Sequence, residues 1–562
     1  MLLTDEILRD PYIAAGLWGQ ITLDELVAKW AVANPEKIAL VDPSNLNFDG
    51  VDTPRRLDWK GVENAVNAVA EKLVSLGLKP DDIVAWQCDN RVEAPIVMLG
   101  IMRAKMIAVP LPPLWDCADI APALQQISPK AIIAGSPSGD HDFALTARDV
   151  AVEVFSIRHV LGFGANVPDG VLGIDDIFDA HSSDRIEDDR EDKAEHVATM
   201  CWWVGEEKLP QIMARSHNHW IAAALGPVME AQITERDVIL SANYLTGIAS
   251  ISTILVPWLL SGSKLVLHHA FDRDIFFQQA EEEAATIAVL PGKVANHLAV
   301  NGQVLPVSRV INIWPDLYGS RQVQLSDLAA QSSTMVDVFA LGETAIFTKK
   351  RFTNTHFGRI PSGKIPLPSG ADDPPCLLEV RVKGRAVKAG GTETLLGGEI
   401  QVSGPMVPAR MIGDAQQRRT TLEQETYRYT EGFIGTNIQC RVSAVDPDFV
   451  EPVLWSKGII CLGGMHLSIA SLEAVYRKFE FILDVAIYGI DDPLFGQRIG
   501  VFAVVDSKLN LDTRSLLALI TETGIASYKI PEQIDIVPNI ARLEDGSLNL
   551  ADLQPLLKRL AG

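Results

Sequence analysis

Short apolar runs alternate with amphipathic segments along most of this chain. Each run is only a few residues long and is followed by polar or turn-forming residues, which is typical of buried β-strands. The runs are Ile83–Trp86, Ala108–Leu111, Ala131–Ala134, Val238–Leu240, Lys264–Leu267, Ile287–Leu290, Val310–Ile313 and Val336–Phe339. Strand-sized runs that alternate with helix-sized segments predict an α/β fold of layered, largely parallel sheets.

Two local signals refine this pattern. Thr22 stands three residues before Glu25 and just ahead of the apolar Leu26 and Val27, so the capping-box pattern predicts that a helix begins there. The charge-dense run Asp184–Lys193 is typical of a solvated connector rather than a binding site.

The pattern changes in the last third of the chain. Gly- and Pro-rich turns separate short β-like runs such as Leu377–Val382, which predicts a small β-rich subdomain at about residues 350–432. Beyond it, apolar runs resume at Val485–Tyr488, Val501–Val505 and Ile534–Val537, with helical segments between them. The sequence therefore predicts a large N-terminal domain over 1–432 and a small α+β C-terminal domain over 433–562.

Composition narrows the classes of function. The chain has 562 residues, more than one hydrophobic core usually serves, and a net charge of −23 that disfavours nucleic acid and anionic membranes as partners. Its six cysteines form no Cys-x-x-Cys pair, which indicates reduced thiols. The N-terminus carries acids, and no apolar run reaches the ~18 residues of a membrane span, so we expect a cytoplasmic protein without a membrane span.

Several common catalytic motifs do not occur. The chain contains no G-x-S-x-G, G-x-x-x-x-G-K-[ST], G-x-G-x-x-G or H-E-x-x-H pattern. His217 and His219 flank Asn218 without metal-ligand spacing, so structural roles are predicted for both.

A set of weak motifs gains weight from its shared order and spacing. The motifs are Gly16–Gly19 with Ile21–Leu26, Leu76–Asp82, Ala104–Leu111, Gly398–Pro405, Gly463–Gly464, Asp491–Gln497 and Tyr528–Pro531. Together they resemble the AMP-forming adenylate ligases, which are acyl- and aryl-CoA synthetases, luciferases and peptide-synthetase adenylation domains. The opening motif looks most like the branch that acts on cyclic or aryl carboxylic acids. The resemblance covers nearly the whole chain.

The resemblance implies the adenylate-forming ligase fold, with a mobile small domain, and a two-step reaction. A carboxylate attacks the α-phosphate of ATP to form an acyl-adenylate, and a thiol, usually that of coenzyme A, then takes the acyl group. The family's phosphate loop reads roughly T-S-G-T-T-G-x-P-K-G. On that pattern Gly205, Lys208 and Pro210 are the candidate nucleotide-binding residues of this chain.

The same loop departs from the family's chemistry. Trp203 falls at a hydroxyl position, Glu206 and Glu207 at the Thr-Thr pair, and Gln211 at the lysine. Two carboxylates beside a triphosphate cost roughly 1 to 4 kcal/mol each, depending on the dielectric. Ordinary binding of Mg-ATP is therefore expected to be impaired, although Lys208 or a bridging Mg²⁺ offers partial compensation.

Two further motifs supply candidate carboxylates. Phe339–Glu343 matches the family's magnesium motif, so Glu343 is the candidate metal ligand and catalytic residue, with Gly342 in place of threonine. A helix-start acid is the alternative reading of Glu343. In the ribose motif, Tyr427 and Glu431 are the candidate cofactor-binding residues.

The remaining motifs are mixed. The family's hinge arginine aligns with Trp455 and its catalytic lysine with Ser547, while Ile313–Asp316 replaces a glycine-rich adenine turn. The resemblance assigns Gly463 and Gly464 to cofactor binding. It assigns Tyr244 and Gly247 to the acid pocket, and a core tyrosine at a strand end is the alternative for Tyr244.

These departures concentrate at positions that contact ATP. We therefore favour an acyl-CoA ligase-like protein with degraded ATP-site motifs, either a pseudoenzyme or a non-catalytic subunit beside an active paralogue, which binds a carboxylic acid, an acyl-CoA or coenzyme A. The alternatives are a divergent acid–CoA ligase with a rearranged ATP site and an acyl-transfer enzyme that needs no ATP.

Overall fold

The computed structural model describes most of the chain and divides it into two compact units. The first comprises Met1–Trp203 and Gln211–Trp455, and the second Val204–Pro210 and Ser456–Gly562. The described residues are 4, 6–44, 54–138, 141–164, 166–180, 185–205, 209–269, 271–315, 333–351, 358–389, 392–408, 432–443, 446–454, 458–492 and 494–542, with no side-chain description at 6–8, 385–389, 392–396 and 453–454.

The predicted strands are present in the first unit. Its strands are β1 (Ile38–Val41), β2 (Arg56–Asp58), β3 (Ile83–Gln87), β4 (Ile107–Pro110), β5 (Ala131–Ala134), β6 (His159–Gly162), β7 (Leu172–Gly173), β8 (Val197–Trp203), β9 (Gln211–Ser216), β10 (Val238–Ser241), β11 (Lys264–Leu267), β12 (Ile287–Pro291), β13 (Arg309–Trp314), β14 (Thr334–Leu341), β15 (Ala345–Lys350), β16 (Ile360–Pro361), β17 (Gly363–Pro366), β18 (Cys376–Ala389), β19 (Thr392–Ser403), β20 (Ile434–Val442) and β21 (Phe449–Leu454). All eight runs singled out in the sequence lie on or overlap a strand.

These strands form three sheets. One has the order β15-β14-β13-β12-β10-β11-β1-β2 and a second the order β7-β6-β5-β3-β4-β8-β9. Both are parallel apart from the edge pairs β14–β15, β1–β2 and β8–β9. The third sheet, β16-β21-β20-β19-β18-β17, is antiparallel. It includes β20 and β21, so the first unit extends beyond the boundary predicted at residue 432.

Helices connect and cover the parallel sheets. They are α1 (Glu6–Ala14), α2 (Leu23–Ala33), α3 (Trp59–Ser75), α4 (Glu93–Arg103), α5 (Cys117–Gln125), α6 (Phe143–Glu153), α7 (His217–Glu230), α8 (Ile248–Ser250), α9 (Val256–Ser261), α10 (Arg273–Glu282) and α11 (Gly292–Val300), with a π-helical segment (Ile251–Leu255) between α8 and α9. The predicted capping box is confirmed, since Thr22 caps α2 and the Glu25 side chain accepts from the Thr22 backbone N–H at 3.0 Å.

Apolar layers and one buried ion network hold the first unit together. Leu240, Val266 and Leu290 from adjacent strands pack in one core cluster with Phe276 of α10. The Arg103 guanidinium on α4 donates to Asp24 of α2 at 2.7 Å and to Glu63 of α3 at 2.9 Å. Because three helices share this cation, their packing depends on polar as well as apolar contacts.

The second unit is a small α+β body. Its sheet runs β23-β22-β25-β24, with β26 added in parallel beside β25. The strands are β22 (Ile459–Leu462), β23 (Met465–Ser468), β24 (Ile482–Asp492), β25 (Gly496–Val505) and β26 (Gln533–Ile536), and the helices are α12 (Ile469–Tyr476) and α13 (Thr513–Glu522). Val485, Val501 and Ile520 belong to its core. Among the described helices of the whole chain, none is both long and apolar enough to cross a membrane.

Candidate functional site

The segment that resembles a phosphate loop connects two antiparallel strands. It runs from the end of β8 to the start of β9, where Trp203 is paired with Gln211. Gly205 and Pro210 lie on this connection. Glu206, Glu207 and Lys208 lie outside the described residues, so their proposed roles stay predictions.

Trp203 packs against the turn that carries the magnesium motif. Its side chain is among the largest fully buried ones. A Cβ added to Gly342 would lie 3.2 Å from Trp203 Nε1 and 3.6 Å from the carbonyl oxygen of Thr436. Gly342 also has a φ of +61°, a backbone conformation that strains a β-branched residue. A side chain at position 342 would therefore require the Trp203 indole to shift slightly, on a backbone conformation that already disfavours side chains.

Glu343 lies in the turn between β14 and β15 and is held by protein groups. Its Oε2 accepts the backbone N–H of Ile248 at 2.9 Å and lies 3.8 Å from Nη1 of Arg215. A Cβ on Gly247 would come within 2.3 Å of Glu343 Oε1, so only glycine allows the carboxylate to lie there. Burial raises the pKa of Glu343 to about 7, although the Arg215 guanidinium and the Ile248 N–H act to lower it.

Arg215 is a site residue that the sequence did not reveal. It lies on the buried strand β9 next to Ser216, its side chain is 0% exposed, and its Nη2 donates to the backbone carbonyl of Glu343. Its guanidinium carbon lies 5.1 Å from the centre of the Trp220 ring. The only signal in the sequence was a single cation directly after the apolar run Ile212–Ala214.

A second buried tryptophan occupies the end of β13, where the resemblance places the adenine turn. Trp314 donates from Nε1 to Asp337 at 2.9 Å and lies parallel to the Phe339 ring, with centroids 6.4 Å apart and an interplanar angle of 18°. A Cβ added to Gly292 would lie 2.3 Å from the Trp314 ring. The indole is thus enclosed between strand and helix. Asp316 lies outside the described residues.

The two acid-pocket candidates have different neighbours. Gly247 touches Glu343, as described above. Tyr244 lies in the loop after β10, where burial raises its pKa to about 12 and the Asp89 carboxylate adds to the effect. Tyr244 is therefore an electrostatic neighbour of Asp89, at the end of β3, and both the pocket and the core roles of Tyr244 stay predictions.

The remaining candidates lie in the second unit or outside the described residues. Gly463 and Gly464 form the two-residue turn between β22 and β23, with φ values of +59° and +90°. A tight hairpin with positive φ at both turn positions favours glycine for conformational reasons alone. Tyr427, Glu431, Trp455 and Ser547 lie outside the described residues. Within the described ranges, no group of three or more His, Cys, Asp or Glu side chains is arranged to hold a metal ion.

His217 and His219 form buried hydrogen bonds at the start of α7. The backbone N–H of Leu23 donates to His217 Nδ1 at 3.1 Å, and His219 Nδ1 lies 2.6 Å from the Ser216 hydroxyl. Burial lowers the pKa of His217 to about 4 and that of His219 to about 3. Both imidazoles are therefore neutral in the folded protein at neutral pH.

Acid is expected to destabilise the protein through these two histidines. Below about pH 6.5 the unfolded chain binds protons that the folded chain excludes, so the free energy of unfolding falls as the pH drops towards 4, by about 1.4 kcal/mol per pH unit for each histidine. Glu93 and Glu343, whose pKa values burial raises to about 7, act in the opposite direction as the pH falls from 7. Thermal unfolding at pH 7.5, 6.5 and 5.5 should show a smaller acid loss for His217→Gln than for the unaltered chain. An equal loss in both would contradict this assignment.

The layered sheets match solved adenylate-forming enzymes. The amide bond synthetase McbA from Marinactinospora thermotolerans superposes with a TM-score of 0.69 at 17% identity, covering 95% of this chain and 99% of McbA. The o-succinylbenzoate CoA synthetase MenE from Bacillus subtilis gives 0.69 at 15% identity, covering 94% of this chain and 98% of MenE. The chain therefore has the adenylate-forming ligase fold.

Sequence comparison gives the family. Residues 27–409 match the model of the AMP-binding enzyme family, which is more than half of the chain. The chain belongs to the AMP-binding enzyme family, and the resemblance found in its motifs is confirmed.

Two curated relatives show the kind of homologue that this chain has. The 2-hydroxy-7-methoxy-5-methyl-1-naphthoate–CoA ligase of Streptomyces carzinostaticus is 22% identical over 568 residues, covering 98% of this chain and 96% of the relative. The medium-chain fatty-acid–CoA ligase of Escherichia coli is 21% identical over 580 residues, covering 96% of this chain and 91% of the relative.

Proposed function

We propose that this chain binds an aromatic or cyclic carboxylic acid, or its coenzyme A thioester, and has lost ATP-dependent adenylation. The observation that carries the proposal is the contact of Trp203 with Gly342, 3.2 Å from the indole nitrogen to an added Cβ. By the family resemblance, Trp203 stands at the first position of the phosphate loop and Gly342 lies in the metal-binding turn, so phosphate would bind beside them. An indole enclosed there competes with a triphosphate for the same volume.

Charge adds to this steric argument. Glu206 and Glu207 bring two negative charges to the same loop, and Gln211 lacks the cation that the family places there. At an effective dielectric near 20, each close pair of like charges costs about 4 kcal/mol. The charge of these side chains therefore supports the proposed loss of phosphate binding.

The segment that the resemblance places at adenine also supports the loss of ATP binding. Trp314 replaces a glycine of the family's turn and stacks near Phe339, the aromatic residue of the magnesium motif. Its Nε1–H is bound to Asp337, and Arg351 pairs with the same carboxylate. Because this network fixes the indole in place, adenine would have to displace a hydrogen-bonded core side chain.

Glu343 does not fit the role of a ready magnesium ligand. Mg²⁺ requires oxygen atoms that are free to coordinate it, whereas Glu343 Oε2 already accepts the Ile248 N–H at 2.9 Å and lies 3.8 Å from Arg215 Nη1. A carboxylate oxygen with an internal donor and a nearby cation is less available to a hard cation. These contacts support the proposed loss of an ordinary Mg-ATP site.

The substrate class follows from the relatives together with the pocket candidates. Relatives include the naphthoate–CoA ligase and a salicylyl-CoA synthase of Streptomyces, which is 22% identical over 593 residues and covers 98% of this chain and 96% of the relative. Gly247 and Tyr244 are the proposed pocket residues. A role as a non-catalytic subunit beside an active paralogous ligase belongs to the same proposal.

Calorimetry tests the proposal directly. The protein is titrated with Mg-ATP, with coenzyme A, and with salicylate and naphthoate, and pyrophosphate exchange is measured over a panel of carboxylic acids. We expect no exchange and no Mg-ATP binding at micromolar concentrations, together with measurable binding of an aromatic acid or its thioester. Micromolar Mg-ATP binding with exchange activity would overturn the loss of adenylation.

A separate arm addresses the subunit role. A purified active ligase from the same source is assayed with and without this chain, and a change in its kcat or KM supports a regulatory subunit. If kcat and KM are unchanged and the two proteins do not co-elute, the subunit role is excluded and this chain would act as a stand-alone binder. If it then binds no acid and no thioester, the proposed function is refuted.

A further inference from the structure

Three loops of the first unit bring a serine, a histidine and an aspartate together. Asp89 follows β3, Ser138 follows β5 and His269 follows β11, so all three lie beyond the carboxyl ends of parallel strands. β3 and β5 are neighbours in one sheet, whereas β11 belongs to another. The carboxyl ends of parallel strands are where α/β proteins generally bind ligands.

The contacts follow the order hydroxyl, imidazole, carboxylate. Ser138 Oγ lies 3.0 Å from His269 Nε2, and His269 Nδ1 lies 3.2 Å from Asp89 Oδ2. The carboxylate at Nδ1 favours the tautomer that carries its proton there, which leaves Nε2 to accept the proton of the serine hydroxyl. The three groups stand in the order that activates serine nucleophiles on several unrelated folds, with the Asp89–His269 contact an ion-pair contact rather than an aligned hydrogen bond.

Buried neighbours hold this set in position. Arg91 Nε lies 3.0 Å from Asp89 Oδ1, and its Nη2 donates to the carbonyl of Pro137 at 2.8 Å, next to Ser138. The Asn90 amide donates to the carbonyl of His268 at 2.8 Å, next to His269. One short segment, residues 89–91, therefore supplies the acid and fixes the backbone of the other two loops.

Exposure and protonation suit a nucleophilic site. The His269 side chain is 21% exposed, whereas that of Asp89 is 3% exposed. Burial lowers the pKa of His269, so the imidazole is in the neutral form that accepts a proton at neutral pH. Tyr244, a proposed acid-pocket residue, is the electrostatic neighbour of Asp89 noted above.

We propose that Ser138 is a nucleophile for activated acyl esters and thioesters, with His269 as its base and Asp89 and Arg91 as positioning residues. Ser138 Oγ attacks the carbonyl carbon and passes its proton to His269 Nε2. The C–S or C–O bond breaks, and the leaving thiolate or alkoxide takes that proton. Water then releases the acid from the acyl-serine by the reverse proton path. This chemistry needs no ATP, so it stands or falls separately from the loss of adenylation.

Covalent labelling tests the nucleophile on the unaltered protein. The full chain is incubated with a fluorophosphonate probe, and the modified peptide is located by mass spectrometry. We expect the label on Ser138. Folded protein that carries no label there, or carries it only on other serines, overturns the proposal without reliance on any variant.

Variants with matched controls test the roles. Ser138→Ala should abolish labelling, and His269→Gln should slow it at least about 10-fold, whereas Ser75→Ala on an exposed helix end and His141→Gln beside Ser138 should retain it. Asp89→Asn should lower kcat for p-nitrophenyl acetate and benzoyl-CoA with little change in KM, which a purely structural role would not produce. Circular dichroism verifies the fold of each variant. Labelling of His269→Gln at the rate of the unaltered chain overturns the triad.

Discussion

Replacing Trp203 and Ser547 by Thr and Lys, with Glu206→Thr, Glu207→Thr and Gln211→Lys, is expected to raise the affinity for Mg-ATP at least about 100-fold. The first change removes the indole that fills the space beside Gly342. The others remove two like charges and restore two cations at the positions that the family uses. Calorimetry with Mg-ATP measures the gain, and pyrophosphate exchange shows whether catalysis returns with it.

Two comparison proteins separate shape from charge in this experiment. The same set without the change at Trp203 should remain close to the unaltered chain if, as proposed, the indole competes with the phosphates for volume. Glu281→Thr, Glu282→Thr, Gln278→Lys and Ser75→Lys also remove two exposed acids and add two lysines, yet they lie on α10 and at the end of α3. If that control gains as much affinity, overall charge is responsible and the placement of the phosphate site is wrong.

Replacing Arg215 by Met is expected to lower the free energy of unfolding of the first unit by about 3 to 5 kcal/mol, because it breaks a buried pair. The methionine keeps much of the apolar contact with Trp220. It leaves the carbonyl of Glu343 without the guanidinium donor, and its carboxylate without the nearby cation. Urea and thermal unfolding provide the measurement.

The matched control for Arg215 is an arginine of an exposed pair. Arg148 lies 3.1 Å from Asp149 with a side chain 43% exposed, so Arg148→Met should cost only about 0 to 1 kcal/mol. A similar loss of unfolding free energy in both variants would show that Arg215 does not stabilise the turn that carries Glu343. An unfolding midpoint of Arg215→Met equal to that of the unaltered chain would show the same.

Much of the fold could be predicted because buried parallel strands are apolar on both faces. Ala131–Ala134 and Lys264–Leu267 matched β5 and β11 residue for residue, and Thr22 marked the start of α2. These signals are local, since each depends on residues within a few positions of one another. The β-rich part was also recognisable from its turns, but the paired strands β20 and β21 were not assigned to it, because strand partners are set by distant chain segments.

The candidate site was harder to predict for the same reason. The sequence marked Trp203 and Gly342 as separate departures, and only the structure shows them in contact, although they lie far apart in the chain. Arg215 could not be predicted, because a single cation in a strand does not form a recognisable motif. Asp89, Ser138 and His269 come from three loops, so no spacing pattern could have joined them.

The fit between Trp203 and Gly342 also restricts the order in which mutations can reverse it. A threonine introduced first at position 342 meets both the indole and an unfavourable positive φ. The single variant Gly342→Thr should therefore be less stable than the unaltered chain and than the double variant that also has Trp203→Thr. Position 203 has to change first, and the turn must then adopt a new backbone conformation. The tryptophan at position 203 therefore disfavours any substitution of Gly342, so the two positions can revert only in one order.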